Sequence, residues 1–319
     1  MRAPRTRRSW GVLTVATGIG LGVSRFPFDS ARDYWRWIDY CEESRINSIW
    51  QTDRLVSSEA MLECLSAMAA IAGHTEHIRF GMNVASIALR DPLLTAKQCA
   101  TIDFLSDGRM LPAFGLGSAF SRDYVATGTP TKRRGKRADE ALQLLSRLWS
   151  EDSVSFQGEF YQYDDARIEP KPANSNMPLW IGGSSKVAME RTAKYGTGWL
   201  GGIDTPEQAK LVVQGVKREL EKTGRSIDED HYGASFMFRF GSFEDPIVTS
   251  TAEGLVSRLK EEPSRYLVAG TGGDMITRIR EFIDAGCDKF VMMPMASGTR
   301  DMMEQTRLFV EEVLPEYPG

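Results

Sequence analysis

Short apolar runs alternate with amphipathic helical segments along most of the chain. Eight apolar runs have the length of buried strands, and they lie at residues 10–16, 48–51, 78–86, 110–115, 179–182, around Trp199, 234–240 and 290–294. Predicted helices separate them at about residues 30–41, 57–72, 91–104, 134–149, 185–195, 206–223 and 274–285. This alternation is typical of a parallel sheet covered by helices.

Eight strands in a chain of 319 residues without a linker-like stretch predict an α/β fold, a single (β/α)8 TIM barrel over residues 1–319. An open doubly wound sheet is the alternative. Residues 150–177 break the pattern, because apolar residues flank Gly158 as in a β-hairpin. We interpret this segment as an insertion over the C-terminal mouth of the barrel.

The amino terminus is basic and leads into an apolar stretch, which resembles a secretory signal peptide. Glycines and threonines interrupt the stretch, and no small-residue cleavage site follows before Arg25. We therefore predict a disordered basic tail over residues 1–9, followed by a first strand. No run is long enough to span a membrane, and the four scattered cysteines predict reduced, buried thiols in a cytoplasmic protein.

Charge and cysteine spacing narrow the classes of partner. A formal net charge of −4 gives no reason to expect binding to nucleic acid or to an anionic membrane, so a small-molecule substrate is the expected partner. No cysteine pair or nearby histidine has the spacing of metal ligands, so no metal site is expected. Two of the three histidines, His74 and His77, lie in a turn before the third predicted strand, at the face of a barrel away from its chemistry, so no catalytic histidine is expected. This argues against a Ser-His-Asp hydrolase and against zinc catalysis.

Two glycine-rich segments follow predicted strands and are candidates for phosphate binding by backbone N–H groups. The first, Gly18 to Gly22, is interpreted as a turn, but it lacks the third glycine of a dinucleotide motif. The second, Gly182-Gly183-Ser184-Ser185, enters a helix directly. Its alternatives are phosphate binding and a tight turn with an N-cap serine.

Asp53 and Arg54 follow the second predicted strand, at the end where barrel enzymes carry their catalytic groups. They are the candidate catalytic residues. The alternative is an ion pair at the mouth that only shapes the loop.

Several ordered motifs resemble the bacterial luciferase-like monooxygenase family, namely Phe114-Gly115-Leu116-Gly117-Ser118, residues 134–142, Pro178-Leu179-Trp180-Ile181-Gly182-Gly183-Ser184 and Tyr195-Gly196-Thr197-Gly198-Trp199. The resemblance extends over nearly the whole chain. It implies a (β/α)8 barrel that binds reduced FMN or, in one branch, the deazaflavin F420.

The resemblance also implies site residues. Asn83 and Val84 would form a non-proline cis peptide beneath the cofactor ring, and Gly182, Gly183 and Ser184 would hold its phosphate. Ser118 and Trp199 would lie beside the cofactor. A homodimer formed through the second and third helices is a further expectation from the family.

This chain departs from the family pattern at two positions. Many deazaflavin-dependent members place Asp-His where this chain has Asp53-Arg54, and the sugar-phosphate dehydrogenases have Glu where it has Phe120. The first hypothesis is a monooxygenase that uses O2 and reduced FMN from a separate flavin reductase. Trp10, Phe120 and Trp199 would wall its pocket, and Arg54 or Arg122 would anchor an anionic group.

The alternatives are F420-dependent hydride transfer, with Asp53 as the proton donor or acceptor, and a flavin-binding protein without turnover.

Overall fold

Parallel strands form a closed ring in the computed structural model, which describes residues 17–318. The strands are β1 Gly18–Val23, β2 Ser48–Gln51, β3 Arg79–Met82, β4 Ala85–Ser86, β5 Met110–Leu111, β6 Ala113–Gly115, β7 Val154–Gln157, β8 Gln162–Ala166, β9 Trp180–Gly182, β10 Gly198–Ile203, β11 Tyr232–Phe240, β12 Leu267–Gly270 and β13 Lys289–Pro294. The helices are α1 Ala31–Glu43, α2 Cys64–His74, α3 Pro92–Leu105, α4 Arg122–Ala126, α5 Arg134–Ser150, α6 Lys186–Tyr195, α7 Pro206–Thr223, α8 Pro246–Leu259, α9 Gly272–Asp284 and α10 Thr299–Glu312.

The ring closes through two interrupted strands. β3 and β4 form one barrel strand with a break at Asn83 and Val84, and β5 and β6 form the next with a break at Pro112. β3 pairs with β5 and β4 pairs with β6, while β9, β10, β11, β13, β1 and β2 complete the circle in that order. The predicted (β/α)8 barrel is therefore confirmed.

Side chains fill the barrel interior. Trp50 and Trp180 are almost fully buried there, together with Leu111, Ala113, Leu200, Val291 and Met293. A second and larger core lies between the strands and the surrounding helices. All four cysteines are buried free thiols, as expected.

The first strand was predicted wrongly. The segment interpreted as a glycine-rich turn, Gly18 to Gly22, lies within β1. A Cβ on Gly20 would lie 2.3 Å from Ser48 Oγ, and one on Gly22 would lie 2.9 Å from Val291 Cγ1. These glycines therefore permit close packing inside the barrel and do not make a turn. The strand predicted at residues 10–16, the tail at residues 1–9 and Trp10 lie outside the described residues.

Local signals placed several other elements correctly. α1 begins after Ser30, whose hydroxyl caps the helix, and β2 has the predicted bounds. α2 begins at Cys64, later than predicted, because residues 57–59 belong to the mouth of the barrel. α4, α8, β12 and α10 were not predicted.

The hairpin of β7 and β8 forms within the segment predicted to be an insertion. Its turn is held by Glu140 of α5, which accepts hydrogen bonds from the N–H groups of Glu159 and Phe160. Tyr163 reaches Asp91, the N-cap of α3, with a 3.4 Å hydrogen bond. The hairpin thus packs along the flank of α3 and α5, whereas other loops line the cavity at the mouth. Within residues 17–318, no helix has both the length and the apolar character required to cross a bilayer.

Candidate active site

A cavity of about 840 Å³ opens at the carboxyl ends of the barrel strands. The cavity is lined by all the predicted catalytic and cofactor-binding residues except Trp199, namely Asp53, Arg54, Asn83, Val84, Ser118, Gly182, Gly183 and Ser184. Because parallel strands all end at this face, residues far apart in sequence meet here.

Trp199 lies behind the cavity wall. Its side chain is fully buried, and its indole Nε1–H donates a 2.9 Å hydrogen bond to the carbonyl of Gly183. The expectation that Trp199 walls the pocket is therefore wrong. It supports the Gly182–Ser185 turn from beneath.

The break between β3 and β4 lies at the base of the cavity. The Asn83–Val84 peptide bond is cis, as the resemblance implied. The Val84 side chain lies between two neighbouring strands, because a Cβ on Gly115 or on Gly182 would come within 2.8 Å of Val84 Cγ2. The two glycines therefore let this valine lie against the backbone of β6 and β9.

Asp53 forms a buried ion pair with Arg90. Two hydrogen bonds of 2.7 and 2.8 Å join the guanidinium to the two carboxylate oxygens, and the Asp53 side chain is only 2% exposed. Asp53 Oδ2 also accepts the N–H of Ser86 at 2.9 Å, and Arg90 donates to the carbonyl of Ser86. This pair ties the end of β2 to β4, next to the cis peptide.

The ion-pair partner of Asp53 is thus Arg90 and not the neighbouring Arg54. The Arg90 guanidinium also lies 3.4 Å from Glu63 and 3.5 Å from the Cys64 sulfur. These side chains have the types found in metal sites, but the guanidinium already supplies positive charge among them. Arg54 is exposed at the cavity and has no ion-pair partner among residues 17–318.

The Gly182–Ser185 turn presents free backbone donors. Within the part of the chain that the structure describes, the N–H groups of Gly183, Ser184 and Ser185 have no hydrogen-bond partner. Gly183 has a φ of +110°, and Ser185 caps α6 by accepting from the N–H of Ala188. Free N–H groups at a helix start suit a phosphate.

The Ser184 hydroxyl is engaged elsewhere. It donates a 2.6 Å hydrogen bond to Asp204 Oδ1, and Asp204 Oδ2 accepts the N–H of Gly202. Burial raises the pKa of Asp204, although the hydrogen bonds from Ser184 and Gly202 oppose that shift. A phosphate would therefore be held by backbone donors, with the Ser184 hydroxyl turned away.

Sequence reasoning missed part of the cavity lining. Asp204 follows β10, Asp123 lies in α4 and accepts the N–H of Val56, and α8 contributes Ile247 and Arg258. No local motif marks these residues, because their position depends on how distant segments pack. The start of α8 did carry a sequence signal, because a proline suited to the first turn of a helix is followed there by two apolar residues, Ile247 and Val248.

Of the two other residues predicted at the pocket within residues 17–318, one lines the cavity and one does not. Arg122 lines the cavity, whereas Phe120 is 96% exposed and is not among the lining residues. No histidine lines the cavity within residues 17–318. His74 pairs with Asp39, and His231 contacts the carbonyl of Thr197.

Comparison with known proteins identifies the family. The model of the luciferase-like monooxygenase family matches residues 11–286. The chain belongs to the luciferase-like monooxygenase family. This family comprises oxidoreductases, some of which are named as F420-dependent or have been solved with FMN.

Three relatives illustrate the range of this family. An F420-dependent glucose-6-phosphate dehydrogenase from Amycolatopsis mediterranei is 26% identical over 89% of this chain and 94% of its own. An F420-dependent secondary alcohol dehydrogenase, solved with an F420-acetone adduct, superposes with a TM-score of 0.82 at 18% identity, covering 96% of this chain and 100% of that one. A type II Baeyer-Villiger monooxygenase from Pseudomonas putida, solved with FMN, gives 0.74 at 14% identity, covering 95% and 99%. At these identities, the two structures support the fold alone.

Proposed function

We propose that the protein is an F420-dependent oxidoreductase that transfers a hydride between the deazaflavin and a small organic substrate. The observation that carries the proposal is the match to F420-dependent relatives over nearly the full length of both chains. The match favours F420 over reduced FMN, the cofactor of the monooxygenase hypothesis.

The residues at the mouth fit such a cofactor. The N–H groups of Gly183, Ser184 and Ser185 would hold its phosphate, and Val84 would lie beneath its ring. When bound, the deazaflavin supplies a ring carbon that accepts or donates a hydride. The protein supplies orientation and a wall that excludes water.

Arginines at the cavity favour a polyanionic cofactor. Arg54, Arg122 and Arg258 line it, and among residues 17–318 none of the three has an ion-pair partner. F420 carries a phosphodiester and carboxylates in its tail, which exposed guanidinium groups attract.

Methionines in the cavity favour hydride transfer over oxygen activation. Met237, Met293 and Met295 line it. Methionine is readily oxidised to its sulfoxide, so three thioethers are poorly suited to a site that handles activated oxygen. A separate flavin reductase, expected for the FMN hypothesis, is not needed by an F420 enzyme.

Anaerobic titration of the purified protein tests the proposal. We expect F420 to bind with a change in its fluorescence, and to bind more tightly than FMN in either redox state. Tight binding of FMN with no binding of F420 would reject the proposal in favour of the monooxygenase. Binding of F420 without redox turnover of any alcohol, imine or alkene would favour the flavin-binding protein without activity.

We also propose a homodimer formed through α2 and α3, as in the family expectation. Leu94 and Leu105 of α3 are 59% and 65% exposed, so they offer apolar side chains that a second copy of the chain would cover. Light scattering during size-exclusion chromatography should give twice the chain mass. Leu105→Glu should shift the mass toward the monomer, whereas Leu211→Glu, on the outer side of α7, should not.

A further inference from the structure

The chain adds a wall to the barrel mouth between β11 and β13. A regular barrel needs one helix there, and α9 fills that role, so α8 and β12 are additional. Ile247, Thr251 and Arg258 of α8 line the cavity at positions i, i+4 and i+11, which lie on one helix face. Leu259 at the end of α8 lines it as well.

This additional helix is anchored firmly. Val248 is fully buried and Leu255 is 5% exposed, and both pack in a small core with Tyr266, Leu267 and Met295. β12 pairs in parallel with the end of β11 through four residues. The face of α8 that lines the cavity is therefore held in place by its own core.

Apolar side chains from neighbouring elements continue the surface. Ile203 at the end of β10, Met237 of β11 and Met295 after β13 line the cavity and belong to the same cluster as Ile247 and Leu259. We call these five residues the apolar wall. The opposite side of the cavity differs, because Ser57, Ser58, Ser118, Ser121 and the paired Arg25 and Glu59 line it.

We propose that the apolar wall is the substrate-binding surface, and that it selects alcohols or carbonyl compounds with an apolar carbon body over sugar phosphates. The inference rests on the proposed function, which supplies the hydride acceptor. A hydroxyl-rich sugar placed against these side chains would lose hydrogen bonds to water without replacing them. An alkyl group would instead be removed from water together with the wall.

The reaction balances with these participants alone. The carbinol carbon of the alcohol loses a hydride to the oxidised deazaflavin, the hydroxyl proton passes to solvent, and the C–O single bond becomes a carbonyl. The reverse direction consumes the reduced cofactor and one proton.

Arg258 is the cationic side chain that α8 contributes to the cavity, so it is the alternative anchor for the phosphate of a sugar phosphate. Its side chain is exposed and gives the substrate no apolar contact, so we assign it, with Arg54 and Arg122, to the anionic tail of the cofactor. The wall itself offers a phosphate no buried donor.

Binding without turnover tests the inference. A ketone cannot react with oxidised F420, so calorimetric titration of the F420-loaded protein with 2-heptanone measures affinity alone. Glucose 6-phosphate could only be oxidised, so it is titrated into the protein loaded with reduced F420, which cannot accept a hydride from it. We expect 2-heptanone to bind at least tenfold more tightly than glucose 6-phosphate.

Variants of α8 locate the binding surface. Ile247→Asn and Leu259→Asn should each weaken 2-heptanone binding about tenfold, and Ile247→Leu should restore it. Val256→Asn is the matched control, because Val256 lies on α8, is 42% exposed and does not line the cavity. All four variants should bind F420 as the unaltered protein does.

The result that would overturn this inference differs from the result that would overturn the proposed function. If F420 binds but glucose 6-phosphate saturates the site, and Arg258→Gln abolishes that binding, the inference is overturned and the proposed function stands. If F420 does not bind, the proposed function itself fails.

Discussion

A buried charge has an oppositely charged partner at one end of the barrel and a neutral partner at the other. At the mouth, Asp53 is matched by Arg90 through two hydrogen bonds, with a further bond from the N–H of Ser86. At the opposite end, Lys289 at the start of β13 is 7% exposed, and its amine contacts the neutral side-chain amide of Asn47. Burial and, to a smaller extent, the nearby Arg79 together lower the pKa of Lys289 to about 7.

The buried charge that has an oppositely charged partner lies at the end of the barrel that carries the cavity. The ionised pair at the mouth fixes backbone next to the cis peptide and the cavity, so its geometry serves the site. Lys289 is not among the residues that line the cavity, and with a pKa of about 7 it is only partly charged at neutral pH. It is consistent with a side chain that fills the closed end of the barrel.

Removing the charge at the mouth should have the largest effect. Asp53→Asn leaves the Arg90 guanidinium buried without its carboxylate, so we expect the free energy of unfolding to fall by about 3–5 kcal/mol. Urea denaturation measures the change. Arg54→Gln, the exposed neighbour, should change stability by less than about 0.5 kcal/mol. Equal effects in both variants would show that the Asp53–Arg90 pair has no special role.

Lys289→Met should alter how stability depends on pH. Because the folded pKa of about 7 lies below the ordinary 10.5, the unfolded chain binds more protons between these values. Stability of the unaltered protein should therefore rise with pH across this window, by up to about 1.4 kcal/mol per unit from this group.

The variant lacks this contribution, so the difference in stability between variant and unaltered protein should be largest near pH 7 and shrink toward pH 10. Denaturation series at pH 7, 8 and 9 measure it. Parallel profiles for the two proteins would mean that Lys289 keeps an ordinary pKa.

Gly182→Ala tests how closely Val84 packs at the mouth. The new methyl group would lie 2.8 Å from Val84 Cγ2, so overpacking should cost about 1–3 kcal/mol. Gly202→Ala is the control, because a Cβ there meets nothing within 4 Å. Adding Val84→Ala should recover part of the loss in a double-mutant cycle, and strict additivity would contradict the contact.

Ser184→Ala should have the smallest effect. It removes the hydrogen bond to Asp204, which contributes about 1 kcal/mol to stability. F420 affinity should change less than threefold, because backbone donors rather than this hydroxyl are proposed to hold the phosphate. A large loss of F420 affinity with unchanged stability would show that the hydroxyl binds the cofactor directly.

Much of the fold and part of the site were predictable because their signals are local. The N-cap Ser30, the apolar face of α1 and the short run of β2 act within a few residues, and each element formed where expected. The Gly182–Ser185 turn was also visible as a strand, two glycines and a capping serine. The turn predicted at Gly18 to Gly22 was wrong, because glycines that make a turn and glycines that permit close packing cannot be told apart in the sequence.

By itself, the sequence determined the alternation of strands and helices, the helix caps and the family to which the chain belongs. Tertiary structure alone decided that Asp53 pairs with Arg90, that Trp199 lies behind the cavity, and that α8 forms one of its walls. The physical reason is the separation along the chain over which each kind of interaction acts. Periodicity and capping act between residues a few positions apart, whereas ion pairs, close packing and cavity walls depend on which distant segments the closed ring brings together.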